Sequence, residues 1–596
     1  MAKMEALAVL HHDVAKRISA PPPVSSLTLA GTSSFALVAG GFYLVAANGA
    51  TWQESMALGG PAGAIWTWVV FRVLTLLPML AAAELASAFP LVSGPYAWAG
   101  CLLAENGGAG SRFVSFLTAA LLSLGFIALD ARIAASCALN ISALTRYASW
   151  VDGVGLSPAS AGLSQGACVG ISIAILCAWG LLHTLRIRAL GRIFAVGAGA
   201  SIVFVLGFGI ALLTSTATYS PTGAEGPSAG WAFTKGYNGI GVDTPDASRY
   251  ATVMGLSIFS VFTFYAAPVF VCEEATEART SVPRAMLIEY ATTSILGFIL
   301  VIAAASATPA ILLQPYSTWV VGAGAGRSVS AYLDVAIAAV INADDGSQIV
   351  FAALGRSAGM AFLIIQLLLR FIAGLVFMTV TVRLTYAMCR DHAYPFARML
   401  RFKSAATGAP LGAIVVVVVA DVLLTLLGLM TMPADRAIMR ISTCCLFAAF
   451  AVPFLFRATV ARDTFAPGPW SLGRWSISIH AGAFLCAAFF ALLQFFPIAL
   501  PVTVHNANWT VVFVAGFLLF ACVWWAVYAH AHFVPPCEWA GAVLAYQRGV
   551  TIRRVSECNM VDSSSAEEVE ALAPRLQAFL DDHAPELLER DASATL

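Results

Sequence analysis

Long apolar runs broken by short polar clusters fill the chain between residues 28 and 529. A helix that crosses a bilayer needs about 20 mostly apolar residues at ~1.5 Å rise each, because lipid offers no partner for unpaired backbone N–H and C=O groups. Twelve stretches meet that requirement: 28–49, 62–87, 113–142, 166–185, 193–214, 251–271, 286–308, 358–387, 410–432, 436–456, 477–499 and 509–529. The pattern predicts an all-α polytopic membrane protein. Two polar gaps are long, at about 216–250 and 309–357, and the second holds a helix-like piece, Tyr332 to Ile341, too brief to span.

Of 596 residues, 59% are hydrophobic and 11% are charged, against roughly 45–50% and about 25% in soluble domains. A soluble enzyme does not fit. The 32 basic and 32 acidic residues cancel, and no basic run exists to track phosphates, which removes nucleic acid as a partner. The 12 cysteines are scattered through apolar runs without CxxC or ligand spacing, so they read as small packing residues, with no metal, cofactor or disulfide framework expected. No GxxxxGK[ST] loop points to ATP drive, and neither HExxH nor GxSxG points to an intramembrane enzyme.

Lys and Arg concentrate in the loops after even-numbered spans: Arg186, Arg188 and Arg192, then Arg279 and Arg284, then Arg390, Arg398, Arg401 and Lys403, then Arg457, Arg462 and Arg474. Positive charge is retained on the cytoplasmic side, so both termini are expected there. The chain divides into a cytoplasmic tail at 1–27 without a cleavable signal pattern, a transmembrane domain at 28–530, and an acidic cytoplasmic tail at 531–596. In the last of these, Ser565 with Glu568 resembles a capping box, but the charge content also suits a solvated, disordered segment.

Several motifs stand out at the span ends. Gly59-Gly60-Pro61 opens the second span, Glu84-Leu85-Ala86-Ser87-Ala88-Phe89-Pro90 closes it, and Gly94-Pro95-Tyr96-Ala97-Trp98 follows. Further on come Glu273-Glu274 with Val282-Pro283-Arg284-Ala285, then Val382-Arg383-Leu384-Thr385-Tyr386-Ala387 with Arg390-Asp391 and Pro395-Phe396, then Ser471-Leu472-Gly473 and Asn506. In this order they resemble the amino acid-polyamine-organocation superfamily, and more closely its branch of eukaryotic amino acid, γ-aminobutyrate and choline permeases. Ser93 departs from that branch, which usually has glycine there.

The resemblance implies a five-plus-five inverted repeat with two extra helices, and first and sixth spans broken at mid-membrane to expose backbone groups to a substrate. In the first span Ala39, Gly40 and Gly41 fit such a break, since paired glycines tolerate an unwound backbone. In the sixth, Phe264, Tyr265, Ala266 and Ala267 occupy it, ahead of Pro268. Phe264 stands at the usual glycine and Ala266 at a frequent aspartate, so the branch's substrate rules do not transfer at these positions. Glu84, Glu273, Glu274, Arg383, Arg390 and Asp391 fall at inner helix ends, where opposite charges can pair and separate as a gate or anchor the helices at the interface.

Asp130 and Arg370 lie inside spans 3 and 8. A charge at mid-bilayer costs at least about 2.5–3.5 kcal/mol and must face protein or water. Asp130 is thus a receptor for a substrate ammonium or a proton with Arg370 for a carboxylate, or the two form a structural ion pair, joined by Arg132. The expected activity is secondary transport of an amino acid or related amine by alternating access, coupled to protons or sodium; choline or a polyamine is the alternative substrate. A nutrient sensor on the same scaffold is the rival from another class. The plasma membrane is the expected site, with the vacuolar or another endomembrane as alternative.

Overall fold

The computed structural model describes residues 29–104, 110–148, 162–215, 229–234, 247–260, 265–307, 347–427, 432–497 and 508–538. Apart from isolated bridge residues at Ala275, Lys403 and Pro410, the last two paired with each other, their regular secondary structure is helical. The α-helices of ten or more residues are α1 (Leu29–Ala88), α2 (Pro95–Ala104), α3 (Ser111–Tyr147), α4 (Gln165–Leu182), α5 (Ile187–Ser215), α6 (Ala247–Ser260), α7 (Ala278–Ala307), α8 (Ser347–Arg390), α9 (Leu411–Leu426), α10 (Met432–Ala458), α11 (Ser476–Leu493) and α12 (Thr510–Trp524). A 3-10 helix, Ala267–Glu274, lies between α6 and α7.

Nine helical segments among the described residues are long and apolar enough to cross a membrane. The three remaining sequence spans are accounted for differently. Span 1 is the first part of α1, whose 60 residues are two helices joined at Gly60, where φ is 76°. That left-handed value suits glycine and ends the first helix without a loop. Span 6 is split between α6 and the 3-10 helix, and span 9 is α9, at 16 residues shorter than a full crossing. A second left-handed glycine, Gly355 at φ 77°, divides α8 in the same way.

Two antiparallel pairs organise the interior. The second half of α1 runs against α7, fixed by Trp68 Nε1 donating to the Ser294 carbonyl at 3.4 Å, Arg72 Nε to Ser294 Oγ at 2.8 Å, and Ser87 Oγ to the Arg279 carbonyl at 2.8 Å. α3 runs against α8 through Thr381 and Asp130, Arg370 and the Ser136 carbonyl, and Asn140 and Gln366. Side chains such as Val73, Val196, Ile295, Leu485 and Leu519 remain exposed on the outer faces of the helices. A water-soluble surface does not carry apolar area on this scale, whereas a lipid-facing one does.

The chain stays packed beyond the expected domain edge at residue 530. A π-helical turn, Trp525–Ala529, leads to Phe533 and Val534, both buried, with the Phe533 ring 5.7 Å from Phe116 and the Val534 N–H donating to the Asp391 carbonyl at 3.0 Å. Arg112 pairs with Glu538 at 3.4 Å. The N-terminal tail 1–27, the piece Tyr332 to Ile341 and the acidic tail from 539 onward lie outside the described residues.

Candidate functional site

The sixth span departs from a regular helix where the sequence places Pro268. Helix α6 is described as far as Ser260, Tyr265 and Ala266 form a turn, Ala266 caps the next helical piece with φ −95° and ψ 7°, and Pro268 stands in its first turn. Proline has no N–H to give to a preceding turn and fixes its own φ, so it starts a helix more readily than it continues one. Tyr265, Ala266 and Ala267 are buried at this joint, and the Tyr265 ring sits edge-on to Tyr290 of α7, centroids 6.2 Å apart. Phe270 packs edge-on against Phe126 of α3 at 5.1 Å. Phe264 lies outside the described residues.

The first span differs from expectation. Its backbone is helical through Ala39, Gly40 and Gly41, and the non-helical residue inside α1 is Gly60. Paired glycines permit unwinding but do not compel it, since the helical conformation is equally open to them.

Most of the charged helix ends converge. Arg390 at the end of α8, buried with 1% of its side chain exposed, donates from Nε to Asp391 Oδ1 at 2.9 Å, from Nη1 to Glu273 Oε1 at 3.4 Å and from Nη2 to Ser93 Oγ at 2.9 Å. Tyr96 closes the node by donating to Asp391 Oδ2 at 2.8 Å, and the Val92 N–H donates to Glu273 at 3.3 Å. Beside it Arg383 pairs with Glu274 at 2.5 Å. Ser93 thus gives the guanidinium a third acceptor that a glycine could not supply, which accounts for the departure noted in the sequence. Tyr96 was visible in the motif but carried no signal of its role.

Glu84 belongs to a separate node. Its carboxylate accepts from Ser471 Oγ at 3.1 Å, the Leu472 N–H at 2.9 Å and Ser476 Oγ at 2.5 Å, with His480 Nδ1 3.5 Å away. It ties the end of α1 to the start of α11, and Arg457 of α10 joins through Ser476 at 2.9 Å.

Asp130 and Arg370 do not pair with each other, which was one of the two readings the sequence left open. Asp130, fully buried on α3, accepts from Thr381 Oγ1 at 2.5 Å. Arg370 donates to the Ser136 carbonyl at 3.2 Å, which is six residues, or about 9 Å, further along α3. Three buried charges in apolar runs escaped the sequence reading although the same penalty for lone charges would have flagged them. Arg72 of α1 donates to the Tyr290 carbonyl at 3.3 Å and to Thr293, and lies 4.4 Å from the Tyr290 ring centroid; its charge acts on Glu289 of α7. Asp421 is fully buried on α9, and neither of its carboxylate oxygens has a hydrogen-bond partner among the described residues.

No group of three or more His, Cys, Asp or Glu side chains converges as a metal site among the described residues. The described site thus combines a departure from α-helix at Tyr265–Ala267 with buried ionic contacts at the helix ends.

Comparison with known proteins agrees. Residues 24–518 match the family model described as "Amino acid permease". An uncharacterised amino-acid permease of Schizosaccharomyces pombe is 26% identical over 515 residues, covering 85% of each chain. The amino-acid permease BAT1 of Arabidopsis thaliana is 26% identical over 82% of this chain and 88% of its own, and the GABA-specific permease of Saccharomyces cerevisiae is 24% identical over 80% and 77%. With that match spanning most of its length and its motifs in order, the chain belongs to the amino acid permease family and is a multi-pass membrane transporter rather than an enzyme.

Proposed function

We propose that this chain is a secondary active transporter that carries amino acids or related amines across a membrane by alternating access on a five-plus-five repeat, with ion coupling. The observation that carries the reading is the departure from α-helix in the sixth span: Tyr265 and Ala266 form a buried turn, and a 3-10 helix begins at Ala267. Backbone groups released from a helix at membrane depth must be satisfied by protein, water or ligand. An interrupted helix of this kind is where transporters of this architecture hold a substrate's charged group.

In this reading Ala39, Gly40 and Gly41 face that segment across the substrate and unwind in another stage of the cycle. The ligand carries a carboxylate, received by backbone N–H groups. The node of Glu273, Arg390 and Asp391, with Glu274–Arg383 beside it and the contacts of Glu84, forms the cytoplasmic closure. The relatives' names support an amino acid or amine substrate, and the Lys and Arg distribution supports cytoplasmic termini.

Uptake of labelled amino acids, γ-aminobutyrate, polyamines and choline by reconstituted vesicles tests the proposal. Accumulation of an amino acid, abolished when its carboxylate is blocked, is the expected result. Competition by choline or a polyamine but not by free amino acids would transfer the site to cation recognition by Tyr265 and neighbouring aromatics. Ligand binding without accumulation would make the protein a sensor.

A further inference from the structure

We infer that Glu289, buried within the seventh span, is the proton-binding carboxyl group that couples substrate movement to protons, and that Arg72 and Tyr290 pass its charge state to the turn at Tyr265. The inference rests on the transporter reading above. It names the ion and the residue that reading leaves open.

Glu289 is 3% exposed and Arg72 8%. Arg72 lies near the middle of the span Gly59–Ala88, and Glu289 lies eleven residues into Ala278–Ala307, about 17 Å along that helix and well inside a ~30 Å hydrocarbon layer. Hydrogen bonds place the two in one cluster. Arg72 donates from Nη2 to Thr293 Oγ1 and to the Tyr290 carbonyl at 3.3 Å, and from Nε to Ser294 Oγ at 2.8 Å. The Thr293 hydroxyl in turn donates to Glu289, to its backbone carbonyl at 2.9 Å and to its Oε1 at 3.2 Å. One hydroxyl proton is shared between these acceptors, and Glu289 Oε2 has no hydrogen-bond partner.

Other ionisable groups on the elements packed against α7 are engaged elsewhere. Glu84 of α1 is bound at the start of α11. Glu273 and Glu274 of the 3-10 helix pair with Arg390 and Arg383 of α8, whose Arg370 and Arg356 donate to the Ser136 and Ala148 carbonyls. On α7 itself Arg279 donates to the Ser87 carbonyl at 3.2 Å, and Arg284 is exposed. Beyond Arg192, α5 has no ionisable side chain, nor has the short helix Ala229–Thr234. Cys486 of α11 donates to the Leu74 carbonyl at 3.2 Å. Tyr290 shares a hydrogen bond of 3.0 Å with Thr75.

An ionised carboxylate offers about four acceptor sites, and here part of one is met. An ionisable side chain kept at this depth so poorly satisfied marks an ion or proton path. A hard metal cation asks for about six oxygen ligands and would sit beside a guanidinium, whereas a proton becomes a covalent part of the carboxyl group and needs no further ligand. Arg72, one hydroxyl away, favours the ionised form and burial the neutral one, so neither is locked in. Glu289 Oε2 takes the proton from water on one side and returns it to water on the other; only an O–H bond forms and breaks. The link to substrate is short: Arg72 lies 4.4 Å from the centroid of the Tyr290 ring, which packs edge-on against Tyr265 at 6.2 Å. Charging or neutralising Glu289 changes the pull on the guanidinium that fixes Tyr290, and Tyr265 follows.

The test uses the full chain in vesicles under an imposed pH gradient. Wild type should accumulate its amino acid up to about tenfold per pH unit for each coupled proton. Glu289→Gln keeps the shape and an acceptor for Thr293, and should lose accumulation while exchange of labelled for unlabelled substrate continues. Accumulation by Glu289→Gln equal to wild type, loss of exchange as well in the folded variant, or a wild type driven by sodium and indifferent to pH overturns the proposal. A second measurement needs neither variant nor substrate. Dicyclohexylcarbodiimide reacts with a protonated carboxyl group in apolar surroundings, adding its O–H across the C=N bond. Peptide mass spectrometry of the wild-type protein should find the adduct at Glu289, and less of it as pH rises; no adduct there, or an amount indifferent to pH, overturns the site. Absence of any uptake or exchange by wild type defeats the transporter reading, and the carbodiimide result still decides whether the proton site exists.

Discussion

Replacing Arg390 with Gln separates a gate from an anchor. The guanidinium is buried and makes its contacts to Glu273, Asp391 and Ser93 at 2.9 to 3.4 Å. Gln cannot span them, so two carboxylates are left buried without a counter-charge, and removing one partner of a buried pair destabilises by about 3–5 kcal/mol. If the node forms only in the state closed at this end, that energy is lost from one state and not the other. The closed-to-open ratio then falls by a factor between about a hundred and several thousand. Cys272, adjacent to Glu273 and buried, reports this directly. In a background where it is the sole cysteine, a membrane-permeant maleimide should label Cys272 far faster in Arg390→Gln than in the parent. Adding Glu273→Gln and Asp391→Asn should recover much of the lost stability, because the orphaned charges are then gone. Loss of thermal stability with unchanged Cys272 labelling would refute the gate and leave an anchor.

Three further outcomes follow from the same geometry. Ser93→Gly removes an acceptor from Arg390 and should lower thermal stability in detergent by about 1.5–3 kcal/mol, the range for hydrogen bonds to charged groups; no change would mean that water substitutes for the hydroxyl. A Cβ on Gly374 would fall within the Trp179 indole, so Gly374→Ala should reduce folded yield through overpacking of about 1–3 kcal/mol or more, with Trp179→Phe relieving it; equal yields with and without Trp179→Phe would sink the packing account. Glu84→Ala strips the acceptor from Ser471, Leu472 and Ser476 and should destabilise the α1–α11 contact by several kcal/mol for lost charged hydrogen bonds, read as a lower melting temperature; Glu84→Gln should lose less.

Membrane insertion, helical class and approximate spans follow from the sequence alone, because lipid forces every backbone polar group to be satisfied within its own segment. Apolar length is then a local property. The interruption of the sixth span was legible at Pro268 for the same reason, since proline's missing N–H acts on its own turn. The charged helix ends could be listed from the sequence but not sorted, and only packing separated Glu84, tied to α11, from Glu273, bound with Arg390 and Asp391 to α2. The role of Ser93 needed a guanidinium 297 positions away. The bend at Gly60 rather than at Gly40–Gly41 likewise depended on neighbours, because glycine allows several conformations and prescribes none. Asp130 and Arg370 looked like partners since opposite charges in lipid attract, yet the antiparallel register of α3 and α8 gives Asp130 to Thr381 and Arg370 to Ser136. Depth in the membrane can be counted along a chain; which face meets which is fixed only when the helices pack.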